Sequence, residues 1–149
     1  MTTLYIRNNT LQIAKVLLHH NGRVLILTEN DGSPGLPGGA RDKEDADLTS
    51  TAIREVREEL GLEPDAYTLQ PTEITTQFTF TNTSMPERHG KAAIAHLFLA
   101  AFHHTQDISL EQTLEGFDWL NPEEAMQQMA AQKNRFAGLL ERGVALLRQ

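Results

Sequence analysis

The chain contains no cysteine, which excludes disulfide bonds and thiolate metal sites. No apolar run approaches the roughly 18 residues that a membrane-spanning helix requires. The opening segment, Met1 to Asn8, has no hydrophobic signal core, and the nearest apolar stretch is broken by Lys15. The last two absences point to the cytoplasm and away from a membrane; the lack of cysteine says little about compartment. Positive charge is also scarce: 13 Lys and Arg stand against 20 Asp and Glu, a formal net charge of −7. That balance disfavours nucleic acid and anionic membrane as partners. It leaves a small anionic substrate open, because a bound divalent cation reverses the local field. The six histidines include no His-Glu-x-x-His spacing, so a zinc-hydrolase helix is not encoded. There is no internal repeat, low-complexity tract or domain linker.

What is present suits one compact domain, residues 1–149, long enough to bury a core. Leu11 to His20 and Val24 to Thr28 read as strands joined by Asn21-Gly22, a dipeptide that accepts the positive φ angles of a tight hairpin. A loop rich in glycine and proline follows, Asn30 to Gly39. The spacing then predicts a helix over 48–60, capped by Asp45 or Asp47 and stopped by Gly61, with Leu62 placed to fold back on the last turn. From Ile74 to Thr81 the period switches to two, with Ile74, Thr76, Phe78 and Phe80 on one face. Asn82 to Lys91 reads as a polar connection. Ala92 to Phe102 is almost wholly apolar, as a strand covered on both faces should be. Phe117 to Leu120 is a further strand. Asn121-Pro122 opens a helix, and a last helix carries Phe136, Leu139, Leu140, Val144 and Leu147 on one stripe. The pattern is a mixed, mainly hairpin-built sheet flanked by helices, of α/β or α+β class.

The chemistry lies in Arg54-Glu55-Val56-Arg57-Glu58-Glu59-Leu60-Gly61-Leu62. On a helix Glu55 and Glu59 stand one turn apart with Glu58 beside them. Like charges so close repel by about 0.2–0.5 kcal/mol per pair even at a surface. Solvent and salt, Arg54 and Arg57, or bound cations can offset that repulsion. Magnesium takes hard oxygen ligands and keeps several waters, so a few carboxylates suffice to hold it. Ahead of the helix, Leu36-Pro37-Gly38-Gly39 lets backbone run close to a ligand. A solvated acidic face is the plainer reading of a glutamate-rich helix; the diglycine loop and the glycine stop weigh against it.

Leu-Pro-Gly-Gly followed by Arg-Glu-Val-x-Glu-Glu-x-Gly-Leu resembles the signature of the Nudix hydrolases, enzymes that cleave nucleoside diphosphates linked to another moiety. The resemblance implies a Nudix-type α/β/α sandwich. It implies Mg²⁺, with Mn²⁺ as a substitute, held by Glu55, Glu58, Glu59 and the carbonyl of Gly39. It implies hydrolysis of a phosphoanhydride bond in a nucleotide-like small molecule, with Glu55 or Glu58 acting on the attacking water and Arg54 holding the carboxylates. A homodimer is compatible with it. Two other readings share the fold. A nucleotide-sugar binding module would have little use for all three glutamates, and an isoprenoid diphosphate isomerase usually needs a cysteine.

The first half of the signature is irregular. Its glutamate should stand six positions after the glycine and eight before the arginine; counting forward reaches Asp45, counting back reaches Ala46. With one residue too many, Asp47 is expected to pair with Arg54, two helical turns away, with Glu44 as the rival. Glu115, ahead of the 117–120 strand, is a candidate base as well as an ordinary loop acid. Arg41, Lys43 and Arg88 are candidates for phosphate contact. His96 reads as a hydrogen-bonded core histidine. Phe78, Phe80 and Phe102 read as core, with stacking on a base as the alternative.

Overall fold

The computed structural model describes residues 4–81 and 85–149. The strands are β1 (Ile6–Arg7), β2 (Thr10–His20), β3 (Arg23–Thr28), β4 (Pro34–Gly35), β5 (Gly38–Ala40), β6 (Tyr67–Thr79), β7 (Ala92–Phe102) and β8 (Gly116–Leu120). The helices are α1 (Leu48–Leu60), α2 (Pro122–Ala131) and α3 (Ala137–Leu147). The strands form one mixed sheet in the order β4-β3-β2-β7-β6, with β1 and β5 pairing β2 and β8 pairing β3. β2 and β7 run parallel from Thr10↔Ala92 to His19↔Ala101; the other pairs are antiparallel.

Alternation along the central strands sorts the core into two layers. Leu11, Ile13 and Leu17 of β2 and Leu97 and Leu99 of β7 join Met129 of α2 and Leu139, Leu140 and Val144 of α3. Ala14, Val16 and Leu18 face the other way, with Leu25, Leu27 and Phe98, onto Ala52, Val56 and Leu60 of α1. The fold is therefore the expected α/β/α sandwich. Val56 and Leu60 are fully buried, which at about 1.5–3 kcal/mol each is enough to clamp α1 on the sheet.

The termini of α1 follow local chemistry. Asp47 is the N-cap, accepting from Ser50 N at 2.8 Å. Gly61 ends the helix at φ 66°, its N–H donating to Arg57 O, and Leu62 is buried against the helix layer. At the hairpin tip Asn21 and Gly22 both have positive φ. Asn121 caps α2 through Glu124 N.

Two stretches differ from expectation. β6 starts at Tyr67, seven residues before Ile74, because it pairs along nearly the whole length of β7. A register shift between Pro71 and Thr75 accommodates the proline, which cannot donate to the ladder and is tolerated here because β6 is the edge strand. The loop over 30–39 is partly strand, since β4 and β5 pair with β3 and β2. In the 82–91 connection, residues 82–84 lie outside the described residues and Pro86–Arg88 is a 3₁₀ turn. No helix among the described residues is long and apolar enough to cross a membrane.

Candidate active site

β5 runs beside β2, with Ala14 opposite Gly39 and Lys15 opposite Gly38. Gly38 has φ 136°, and a Cβ there would overlap the carbonyl oxygen of Ala14 and lie 2.9 Å from the Cα of Lys15. Only glycine fits. The bare backbone then meets α1: Glu59 Oε1 accepts from Gly38 N at 2.7 Å, and a Cβ on Gly39 would stand 2.5 Å from Glu55 Oε1. The diglycine thus brings main chain against two of the three helix carboxylates.

Glu55 and Glu59 are both held above the ordinary carboxylate range, Glu59 at about 8, chiefly because burial disfavours their charge. The Gly38 N–H and the Lys15 ammonium oppose the effect at Glu59; Arg54 and Lys15 oppose it at Glu55. Glu58 is exposed. Arg54 Nη1 contacts Glu55 Oε1 at 3.1 Å and Glu58 Oε2 at 3.3 Å, while Nη2 donates to Ala40 O at 3.2 Å.

Arg54 is anchored by Asp45, not by Asp47 or Glu44. Arg54 Nε and Nη2 each lie 2.9 Å from a different Asp45 oxygen. Asp47 is committed to the helix cap and Glu44 is exposed, so neither pairs with Arg54. Asp45 wins because it is buried, with a 6% exposed side chain, and is held further by Asp42 N and Thr51 Oγ1 at 2.9 Å each. The Arg54 guanidinium holds its carboxyl down at about 2. Counting forward from Gly39 reaches the right residue, so the extra residue of the motif falls between Asp45 and the helix.

This pair makes a pH prediction. A carboxyl at about 2 in the fold and 3.8 when free stabilises fully above about pH 4, and that stability is lost as pH falls towards 2; its magnitude is about 1–2 kcal/mol. Asp45→Asn is therefore expected to destabilise by that amount in denaturant melts at pH 7, and by much less at pH 2.5. An equal loss at both pH values would assign the effect to packing.

The other candidates are dispersed. The Arg41 guanidinium donates to the carbonyls of Asp45 and Ala46 and lies 3.9 Å over the Tyr5 ring, so it stitches the 41–47 loop. Lys43 and the side chain of Glu115 are exposed; Glu115 N donates to Thr28 O at 2.9 Å, which sets it at the end of β3. His96 is half-buried and hydrogen-bonded, its Nε2 3.1 Å from Gln12 Oε1, but it is not part of the core. Phe102 is buried. Arg88, Phe78 and Phe80 line a cavity of about 230 Å³ with Ile13, Lys15, Gly38, Gly39, Ala40, Arg135 and Phe136.

Two residues here were not singled out from the sequence. Lys15 reads there only as an interruption, yet its Nζ donates to Leu36 O at 3.2 Å and lies 4.7 Å over the Phe136 ring. Burial pushes its pKa down, against the pull of Glu59, Glu29 and Glu55. Glu29 follows Leu25 and Leu27 at period two, which puts it on the α1 face of β3; a Cβ on Gly35 would lie 2.6 Å from its Oε1. A charge interrupting an alternating strand is the signal that would have found both.

The family model of the NUDIX domain matches residues 9–140. The chain belongs to the Nudix hydrolase family. Among solved structures it is similar to the E. coli dihydroneopterin triphosphate pyrophosphohydrolase, at 22% identity and TM-score 0.70, over 95% of this chain and 98% of that one. It is likewise similar to a C. elegans Ap4A hydrolase in a binary complex, at 20% identity and TM-score 0.71, over 93% and 98%. The NUDIX domain of Shewanella oneidensis NrtR, complexed with ADP ribose, matches at 18% identity and TM-score 0.65, over 93% and 88%. At these identities the likeness establishes the shared fold.

Among the described residues no three acids or histidines close into a metal cage. The donor set nevertheless fits magnesium, which keeps several waters and needs only one or two carboxylates. Glu55 and Glu59 are half-buried acids whose charge Arg54, Lys15 and the Gly38 N–H offset only in part, and the glycine backbone packs against them with no side chain between.

Proposed function

We propose that this Nudix family member hydrolyses a phosphoanhydride bond in a nucleoside di- or triphosphate derivative, with Mg²⁺ or Mn²⁺ as cofactor. The observation that carries the reading is the meeting of the bare Gly38-Gly39 backbone with the half-buried carboxylates of Glu55 and Glu59. Glu55, Glu58, Glu59 and the Gly39 carbonyl would hold the cation, which when bound neutralises phosphate oxygens and lowers the pKa of a coordinated water.

The remaining steps belong to side chains. Glu55 accepts a proton from water as its oxygen attacks phosphorus; the P–O bond to the departing phosphate breaks, leaving a nucleoside monophosphate and diphosphate or a phosphorylated group. Glu58 is the alternative acceptor, since both carboxylates share Arg54 Nη1. Arg54, itself fixed by Asp45, keeps the two in register. Glu115 stays a weaker candidate for the base because its side chain is exposed at the strand end.

The test is phosphate release from nucleoside triphosphates, nucleotide sugars and dinucleotides, with and without chelator. Turnover is expected with millimolar Mg²⁺ and its loss in excess EDTA, because the acids alone would repel a diphosphate. Undiminished turnover in EDTA would remove the metal-dependent reading. Binding of a nucleotide sugar with no turnover on any substrate would favour the sensor alternative.

A further inference from the structure

The cavity beside the diglycine is cationic, although the chain as a whole carries a net charge of −7. Lys15, Arg88 and Arg135 all line it, and among the described residues none of them forms an ion pair with a carboxylate. Each is backed by a phenylalanine face instead: Lys15 by Phe136 at 4.7 Å, Arg88 by Phe80 at 5.7 Å and Arg135 by Phe78 at 4.3 Å. A ring face supports a cation without consuming its N–H donors. Lys15 directs one donor to Leu36 O and has two more. Arg88 Nε is buried with no hydrogen-bond partner among the described residues. Buried unpaired donors are costly, and an anion in the cavity would meet the spare Lys15 donors beside the Arg88 guanidinium.

Size narrows the occupant. Pockets for whole small molecules run to about 300–1,000 Å³, so about 230 Å³ takes one moiety of a substrate. The cavity adjoins Gly38 and Gly39, whose other contacts are Glu55 and Glu59. A group lodged there is a near neighbour of the bond cleaved.

Resting on the hydrolase reading above, we propose that Lys15 and Arg88 select substrates with an anionic group beyond the cleaved diphosphate, so that the site prefers nucleoside triphosphates to nucleoside diphosphate sugars. A sugar hydroxyl in this cavity brings the cations no charge of its own; a third phosphate does.

Two measurements test the proposal. The first is calorimetric binding, with Mg²⁺, of α,β-methylene nucleoside triphosphates of the four common bases against diphosphate sugars of the same bases. The second is the kcat/KM ratio for the hydrolysable pairs. Wild type should bind the triphosphate analogue of at least one base about tenfold more tightly than its sugar counterpart. Lys15→Met and Arg88→Met should each cut that preference about tenfold, and Lys15→Arg should restore most of it. Arg88 sits on a surface turn, so its variant reports even if Lys15→Met fails to fold. No triphosphate preference in wild type, or a preference unmoved in Arg88→Met, overturns the proposal. Selective binding with no turnover on any substrate leaves the selectivity standing and sinks the hydrolase reading.

Discussion

Glu59→Gln is expected to lower turnover by at least about 10²-fold, the order seen when a major electrostatic contributor is lost, while the fold survives. The glutamine carbonyl can still accept the Gly38 N–H that Glu59 Oε1 accepts at 2.7 Å, so the loop stays in place. What disappears is the capacity to carry a charge, which burial disfavours strongly enough to push the carboxyl up to about 8. Removing it should leave the melting temperature unchanged or slightly higher, the exchange of stability for activity expected of a functional charge. Thermal melts and steady-state kinetics on the same preparation check both halves. Near-native turnover would show that Glu59 takes no part in the chemistry. A collapse of both turnover and Tm would make it a structural acceptor for the loop.

Gly38→Ala and Gly39→Ala are expected to fail in different ways, although the residues are adjacent. At Gly38 the new methyl would run into the Ala14 carbonyl and the Lys15 Cα, both backbone of the central strand, at a φ that side chains rarely adopt. Neither can yield without unzipping β5 from β2, so the cost should be about 3 kcal/mol or more, in the range reserved for backbone strain and core disruption. At Gly39 the methyl meets the far end of the flexible Glu55 side chain, 2.5 Å away. Glu55 can swing aside, so stability should change by less than about 1 kcal/mol while turnover falls through a misplaced carboxylate. Denaturant unfolding with parallel kinetics separates the two. Equal destabilisation by both variants would mean that Glu55 is as rigid as the strand.

Much of this was legible along the chain because it depends on neighbours. The extent of α1, its glycine stop and the hairpin at Asn21-Gly22 follow from local φ preferences and short-range hydrogen bonds. The two-layer core follows from strand alternation, and the glutamate cluster from helical spacing. β6 was only half legible: its alternation is clear from Ile74 on, but the segment 67–73 becomes strand through pairing with β7, about thirty residues further along.

What tertiary structure alone decided is which charged groups meet. Asp45, Asp47 and Glu44 are equivalent acids in a loop; only the fold buries Asp45 against Thr51 and Arg54 and turns Asp47 to the helix cap. Arg41 and Arg88 are equally plausible phosphate contacts by position, but one is used up on loop carbonyls and the other faces the cavity. Lys15 gains its meaning from Arg88, Arg135 and the phenylalanines that the sheet and α3 bring around it. Local sequence determines backbone conformation through short-range sterics and hydrogen bonds. The electrostatic role of a charge depends on burial and on partners distant in the chain, and those exist only once the chain has folded.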